Sequence, residues 1–175
     1  MFSMEQLKYS YKFNLTDTKK VEDCPSFGVY LTILHANKIP PHIGLLIDGY
    51  FFSLKAKGKD VKIPATWLIN SIKKKKIATI FIEMERSKTL YLEHVYDYFT
   101  ALPNGIPENQ TCLTPILSLL DAPNDCDCVA DLLVYLADKN KIKNEWWMNL
   151  PASFEQLPFY GKEEIQQRIK DLKHV

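Results

Sequence analysis

A histidine and a cysteine, each at the edge of an apolar run, are the residues of this chain best suited to chemistry. His42 opens the run HIGLLI, and Cys112 stands directly before LTPILSLL. A thiol at the start of a helix meets unpaired backbone N–H groups, which favour its thiolate form. An imidazole nearby can take and return the proton. The two residues therefore predict a cysteine nucleophile with a histidine base.

Strands are the elements expected to position His42. Residues 27–36, FGVYLTILHA, form a continuous apolar run typical of a buried strand. Two prolines then break the chain, HIGLLI follows, and the turn pair Asp48-Gly49 leads into YFFSL. The pattern predicts a hairpin that begins at His42.

A short helix and a further strand are expected after this hairpin. Lys55–Lys59 is predicted to be a polar loop, and Pro64 is predicted to lie near the first turn of the helix. The apolar positions of this helix are Trp67, Leu68 and Ile72, and IATIFIEM follows as a strand. Lys73–Lys76 is interpreted as a solvated helix end rather than a nucleic-acid site, because lysines complement the helix dipole there and no aromatic residues are interleaved.

Helices dominate the second half of the predicted fold. Ser87 is the expected N-cap of a helix over 88–102, whose apolar positions recur at helical spacing. Pro115 is tolerated in the first turn of the next helix but not deeper, so Cys112 must lie at or just before its start. Residues 126–139 are predicted to form a core helix, with Cys126 and Cys128 at its N-terminal end in a packing or capping role.

Composition limits the function classes. The 175 residues predict one domain, 1–175, and 22 basic against 21 acidic side chains give a net charge of +1. No global field therefore recruits nucleic acid or an anionic membrane. No apolar run approaches the ~20 residues that span a bilayer, and the charged, aromatic start does not resemble a signal peptide, so a cytoplasmic protein is expected.

The cysteines are expected to be reduced. Nothing marks secretion, and the C-x-C pair is poorly placed to bridge itself. A zinc site is disfavoured because paired C-x2-C or nearby histidine spacings are missing, and no cofactor is implied. The four cysteines are Cys24, Cys112, Cys126 and Cys128.

From about residue 27 to about residue 160 the chain resembles circularly permuted papain-like proteins of the NlpC-related type, including the PPPDE thiol peptidases. In that group the histidine strand precedes the cysteine helix, and the histidine commonly opens an H-h-G-h-h-h pattern, where h is apolar. HIGLLI, residues 42–47, has this pattern, Thr111-Cys112 stands where a small polar residue precedes the nucleophile, and LPASFEQL resembles a late proline-containing segment. The resemblance implies an α+β papain-like core with a small antiparallel sheet packed against helices. Beyond that core, the apolar spacing of KEEIQQRIKDLK predicts a C-terminal amphipathic helix over 162–173.

The resemblance also implies a reaction. Cys112 would attack an acyl carbon with His42 as base and then acid, and a third polar residue would orient the imidazole from the next strand. Ser53 is the nearest candidate for that role, since a charged Lys55 cannot accept a proton. Trp146 and Trp147 are candidate substrate-binding residues. The expected substrate is a peptide, a protein conjugate or a lipid amide.

Two alternatives stay open. The chain could be an inactive papain-like domain that binds a partner through the aromatic segment, or a structural protein whose cysteines belong to the core. The oligomeric state is not predicted.

Overall fold

The computed structural model describes residues 11–17 and 27–175, so Cys24 lies outside the described residues. The strands are β1 (Thr16–Asp17), β2 (Val29–Leu34), β3 (His42–Ile47), β4 (Tyr50–Leu54), β5 (Lys59–Pro64), β6 (Thr79–Met84) and β7 (Ile142–Met148). The helices are α1 (Ala65–Lys75), α2 (Leu92–Ala101), α3 (Thr114–Leu119), α4 (Val129–Asp138) and α5 (Lys162–His174).

The described strands form one sheet in the order β1-β7-β6-β2-β3-β4-β5. Neighbouring strands are antiparallel except for the short β1, which pairs with β7 in parallel. The protein therefore has an α+β fold built on an antiparallel sheet, as the sequence predicts.

The hairpin of β3 and β4 forms where the sequence predicts it. Asp48 and Gly49 have φ values of 45° and 84°, and this left-handed pair matches the twist of the flanking strands. The Asp48 carboxylate accepts the Gly28 amide at 3.1 Å and forms a salt bridge with Arg86 at 2.5 Å. These contacts fix the turn and hence the register, in which Gly44 faces Ser53.

Strand β5 is not predicted by the sequence. The chain turns at Gly58, whose φ is 100°, and Lys59–Pro64 then pairs with β4 as an edge strand. Pro64 is the N-cap of α1 and therefore lies next to its first turn, as predicted. Pairing with β4 satisfies backbone groups that a loop would leave to water, and this tertiary effect outweighs the loop-like composition of the segment.

The face that α1 buries also differs. Trp67 is 70% exposed, whereas Ala65, Ile69 and Ile72 are buried. The buried stripe of the helix follows Ile69 and Ile72 at i and i+3, and this places Trp67 on the solvent side.

The helices of the second half follow the predicted pattern with one corrected boundary. Helix α2 begins at Leu92 after the N-cap Tyr91, not after Ser87, whose carbonyl instead accepts the Leu90 amide in a turn. Pro115 lies in the first turn of α3, so Cys112 is just ahead of the helix as predicted. The predicted apolar face of α4 is buried, and it comprises Val129, Leu132, Leu133 and Leu136.

The sheet separates two apolar clusters, and alternation along each strand assigns side chains to one or the other. We call the cluster under α1 the α1 core and the cluster against α2–α5 the main core. The α1 core comprises Tyr30, Leu34, Leu46, Phe51, Ala65, Ile69, Ile72, Phe81 and Met148. From β3 and β4 the main core takes Ile43, Leu45, Ile47, Phe52 and Leu54.

Candidate functional site

His42 is held by a chain of polar contacts that crosses three strands. Its Nε2 atom lies 3.0 Å from Ser53 Oγ on β4. The Ser53 hydroxyl donates to Asp60 Oδ2 on β5 at 2.7 Å, and Lys55 Nζ lies 2.7 Å from the other Asp60 oxygen. We call His42, Ser53 and Asp60 the histidine relay. The structure thus brings together two of the predicted site residues, His42 and Ser53.

The direction of these hydrogen bonds fixes the tautomer of the imidazole. An ionised Asp60 can only accept hydrogen bonds, so the Ser53 hydroxyl must use its single proton to donate to the carboxylate. The Ser53 oxygen can then only accept from His42, which requires a proton on Nε2. In a neutral ring this leaves the lone pair on Nδ1, and Nδ1 makes no hydrogen bond with any described residue. His42 is therefore arranged as a base at Nδ1.

The same surroundings keep His42 uncharged. Burial lowers the pKa of His42 to about 4, and the charges of Lys55 and His35 add to the shift, while Asp60 opposes it. Removing the ring from water penalises its cationic form. At neutral pH the imidazole is therefore neutral and can accept a proton.

Close packing around Gly44, two residues after His42, explains why the HIGLLI pattern contains a glycine. A Cβ atom at Gly44 would lie 2.5 Å from the Phe51 ring and 2.6 Å from the Phe52 carbonyl oxygen. The β3–β4 pairing therefore leaves no room for a side chain at this position.

Cys112 occupies a tight turn in front of α3. The Thr111 amide donates to Thr114 Oγ1 at 3.0 Å, and the Leu113 amide donates to Thr111 Oγ1 at 3.2 Å. These side-chain to backbone bonds fix the turn that carries the thiol.

Burial against the main core sets the ionisation of Cys112. It raises the pKa of the thiol, although the amide N–H groups of Ile43 and of Cys112 itself hydrogen-bond to the sulfur and oppose the shift. Cys112 is therefore a neutral thiol at pH 7 rather than the thiolate that its place before a helix predicts. Apolar burial outweighs two amide donors here.

His42 and Cys112 are neighbours through the backbone and not through their side chains. The Ile43 amide that reaches the Cys112 sulfur belongs to the residue directly after His42. Alternation along β3 places the His42 side chain with Gly44 and Leu46 on the α1-core side, whereas Cys112 packs against the main core. Both residues are described, and no hydrogen bond joins their side chains.

Tyr160 is a neighbour of the candidate nucleophile that the sequence does not single out. Its hydroxyl accepts the Val129 amide at 3.3 Å. Burial raises the pKa of Tyr160. Cys128 and Cys112 add to that shift, because their thiols are ionised at the high pH at which a tyrosine titrates. Tyr160 thus lies in the electrostatic environment of both cysteines.

Cys128 has the capping role expected of it. It is the N-cap of α4, and its amide donates to Asp131 Oδ2 at 3.1 Å. Burial raises the pKa of Cys128 to about 11. Burial and the charge of Asp131 together raise the pKa of Cys126 to about 11 as well.

The two candidate substrate-binding tryptophans lie elsewhere in the sheet. Both are on β7, which strands β6 and β2 separate from β3. Trp146 packs against Tyr30 at a ring-centroid distance of 5.8 Å on the α1-core side, and Trp147 packs against the main core. The structure does not bring them to His42 or Cys112.

Sequence reasoning missed Asp60. Its signal was the alternation of KDVKIP after a glycine, which is compatible with a strand paired to YFFSL and places Asp60 beside Ser53. The lysine-rich tip made a loop the simpler interpretation.

Within residues 11–17 and 27–175 no group of three or more histidine, cysteine, aspartate or glutamate side chains is placed to hold a metal ion. In the same described part of the chain, each helix is too short or too polar to cross a bilayer.

A scan against protein-family models, a search of curated proteins and a search of solved structures find no match to this chain. The fold and site define an α+β protein with a histidine relay on one side of an antiparallel sheet and a partly buried thiol on the other.

Proposed function

We propose that the protein is a cysteine hydrolase with a circularly permuted papain-like fold, in which Cys112 is the nucleophile and His42 the base. The observation that carries the proposal is the histidine relay. It leaves the Nδ1 lone pair of a neutral His42 available, in a residue whose neighbour Ile43 contacts the Cys112 sulfur. Acyl transfer by a thiol requires a base with a defined tautomer. His42 supports this requirement, and its link to Cys112 runs through the backbone of Ile43.

The reaction follows from the charges of the two groups. Both are neutral at pH 7, so His42 Nδ1 takes the thiol proton as the Cys112 sulfur attacks the acyl carbon. The imidazolium then gives this proton to the leaving amine, alcohol or thiol as the acyl bond to it breaks. Water, deprotonated by His42, releases the acyl group as a carboxylic acid and restores the thiol. The imidazole and thiol lie on opposite sides of the sheet in this structure. The step therefore requires His42, the first residue of β3, to turn around the end of the strand towards Cys112 when substrate binds.

Two backbone amides are placed to stabilise the charge that develops. The backbone N–H groups of Ile43 and Cys112 act on the sulfur and lower the pKa of the thiol against the effect of burial. An oxygen bonded to the attacked carbon would lie close to that sulfur, where paired amide donors stabilise an oxyanion. Ser53 is a positioning residue in this scheme, and Asp60 orients Ser53.

The substrate class stays broad. Amides, thioesters and esters share this mechanism, and a peptide, a protein conjugate or a lipid amide supplies such a bond. We further propose a cytoplasmic location, which the free thiols of Cys112, Cys126 and Cys128 support because thiols persist in reducing compartments.

A papain-like domain without activity is the second candidate. The observation in its favour is the raised pKa of Cys112 together with the missing hydrogen bond to His42. In that case Cys112 is a packing residue and the surface of the domain carries the function.

Acylation by an activated ester separates the two candidates. The wild type, Cys112→Ala and His42→Gln are incubated with p-nitrophenyl acetate, and acetylated peptides are located by mass spectrometry. Cys126→Ala is the matched control, because Cys126 is also a partly exposed cysteine. We expect acetyl-Cys112 in the wild type and the control, and a rate at least about 100-fold lower in His42→Gln. Acetylation that is absent from Cys112, or equally fast without His42, overturns the hydrolase proposal and favours the binding domain.

A further inference from the structure

A cleft of about 600 Å³ lies between α4 and residues 156–162. Its volume is in the range of ligand-binding sites. The residues that line it include neither His42 nor Cys112. The cleft is therefore separate from the histidine relay, and the inference below does not rest on the proposed hydrolase activity.

The floor of the cleft is apolar. Leu157 and Tyr160 are buried at its base, and the partly buried rings of Tyr11 and Phe13 meet edge to face with centroids 5.0 Å apart. Ala130 on α4 also lines the cleft. This surface favours the hydrocarbon part of a ligand.

The rim of the cleft is acidic. Asp125, Asp127 and Asp138 are exposed at its edge, and their carboxylates form no hydrogen bond or ion pair with the described residues. Asp131 differs, because it accepts the Asp127 and Cys128 amides as part of the cap of α4. Among the described residues that line the cleft, Lys162 alone is basic. In a chain whose net charge is +1, this edge is a local concentration of negative charge.

An exposed aromatic ring lines the same cleft. Phe159 lines the cleft and is 58% exposed, which is unusual for a phenylalanine. The face of an exposed ring attracts cations, above all the guanidinium group of arginine.

We propose that this cleft binds an arginine or lysine side chain of a peptide or protein partner. Such a side chain has an apolar stem that matches the floor and a cationic head that matches the rim. A purely apolar ligand would desolvate the carboxylates without compensation, and an acidic one would be repelled. Charge complementarity selects a basic partner.

Binding of blocked tripeptides tests the proposal. The probe is acetyl-Gly-Arg-Gly-amide, and the comparators carry norleucine or glutamate in place of arginine. Titration of the full chain at low ionic strength is followed by amide chemical shifts in NMR. We expect the arginine peptide to shift signals of residues 123–138 and 156–162. The norleucine peptide should bind at least about fivefold more weakly, because it loses two or more exposed ion pairs, and the glutamate peptide should bind more weakly still.

A charge variant with a matched control completes the test. Asp125→Asn with Asp127→Asn removes two exposed carboxylates from the rim, and Asp97→Asn with Glu108→Gln removes two exposed ones from outside the cleft. The first pair should weaken the arginine peptide about fivefold and the second should not.

Several outcomes would overturn the proposal. They are equal binding of the norleucine and arginine peptides, equal binding by the rim variant, and shifts that are absent or map to another surface. Concentration-dependent shifts of the cleft residues without any peptide would also overturn it, because they identify a second copy of the chain as the occupant.

Discussion

The two sides of the sheet surround their candidate catalytic groups with opposite environments. On the α1-core side His42 takes part in a polar relay that fixes its tautomer, whereas on the main-core side Cys112 is surrounded by apolar side chains. Burial lowers the pKa of His42 and raises that of Cys112, so both groups are neutral at pH 7. Any proton transfer between Cys112 and His42 therefore starts from a neutral thiol and a neutral imidazole and not from a preformed ion pair.

The largest effect is expected where the β3–β4 pairing is tightest. Gly44→Ala places a Cβ atom within 2.6 Å of the Phe52 carbonyl oxygen, which is backbone and cannot move aside. We expect the free energy of unfolding to fall by about 3 kcal/mol, measured by urea denaturation.

Gly161→Ala is the matched control for this substitution. Its Cβ would meet Glu164 Oε2 at 3.2 Å, the mobile end of a side chain, so its cost should stay within about 1 kcal/mol. Equal costs at the two glycines would contradict the close packing of β3 against β4.

The sequence predicts most of this hairpin but not what flanks it. The Asp48-Gly49 pair and the two apolar runs specify the turn, and Pro115 correctly places Cys112 before α3, because these signals act within a few residues. β5, and Asp60 with it, was not predicted, since a lysine-rich edge strand is stabilised by pairing with β4 and not by its own composition. The distribution of His42 and Cys112 between the two sides of the sheet depends on tertiary packing, which local patterns do not contain.

The second-largest effect is a pH dependence of the free energy of unfolding that comes from His42. Unfolded His42 takes up a proton near pH 6.5, whereas folded His42 does so only near pH 4. The unfolded state therefore binds more protons between these values, and stability falls as the pH drops from 6.5 towards 4. At pH 5 this amounts to about 2 kcal/mol.

His42→Gln should remove this part of the pH dependence, measured by urea denaturation at pH 7 and pH 5. His94→Gln, which replaces an exposed histidine on α2, should keep the wild-type dependence. If His42→Gln loses as much stability between pH 7 and pH 5 as the wild type, His42 is not desolvated in the folded state.

The smallest effect on stability, about 1 kcal/mol, is expected at the far end of the relay. In Asp60→Asn the new amide can donate to Ser53, which frees the Ser53 hydroxyl to donate to His42 Nε2. The proton of the ring then moves to Nδ1 and the base is lost. The ¹⁵N shifts of the imidazole should report this change of tautomer, and they should not change in Asp97→Asn. A ring that keeps its proton on Nε2 in Asp60→Asn would show that the relay does not set the tautomer.

The most direct test of the account is the pH dependence of Cys112 acylation by p-nitrophenyl acetate in the wild type and His42→Gln. A neutral His42 with a pKa of about 4 predicts a wild-type rate with its acid limb near pH 4. In His42→Gln that limb should vanish and the rate should rise only with hydroxide, as expected for an unassisted thiol. Superimposable profiles for the two proteins would contradict the assignment of His42 as the base for Cys112.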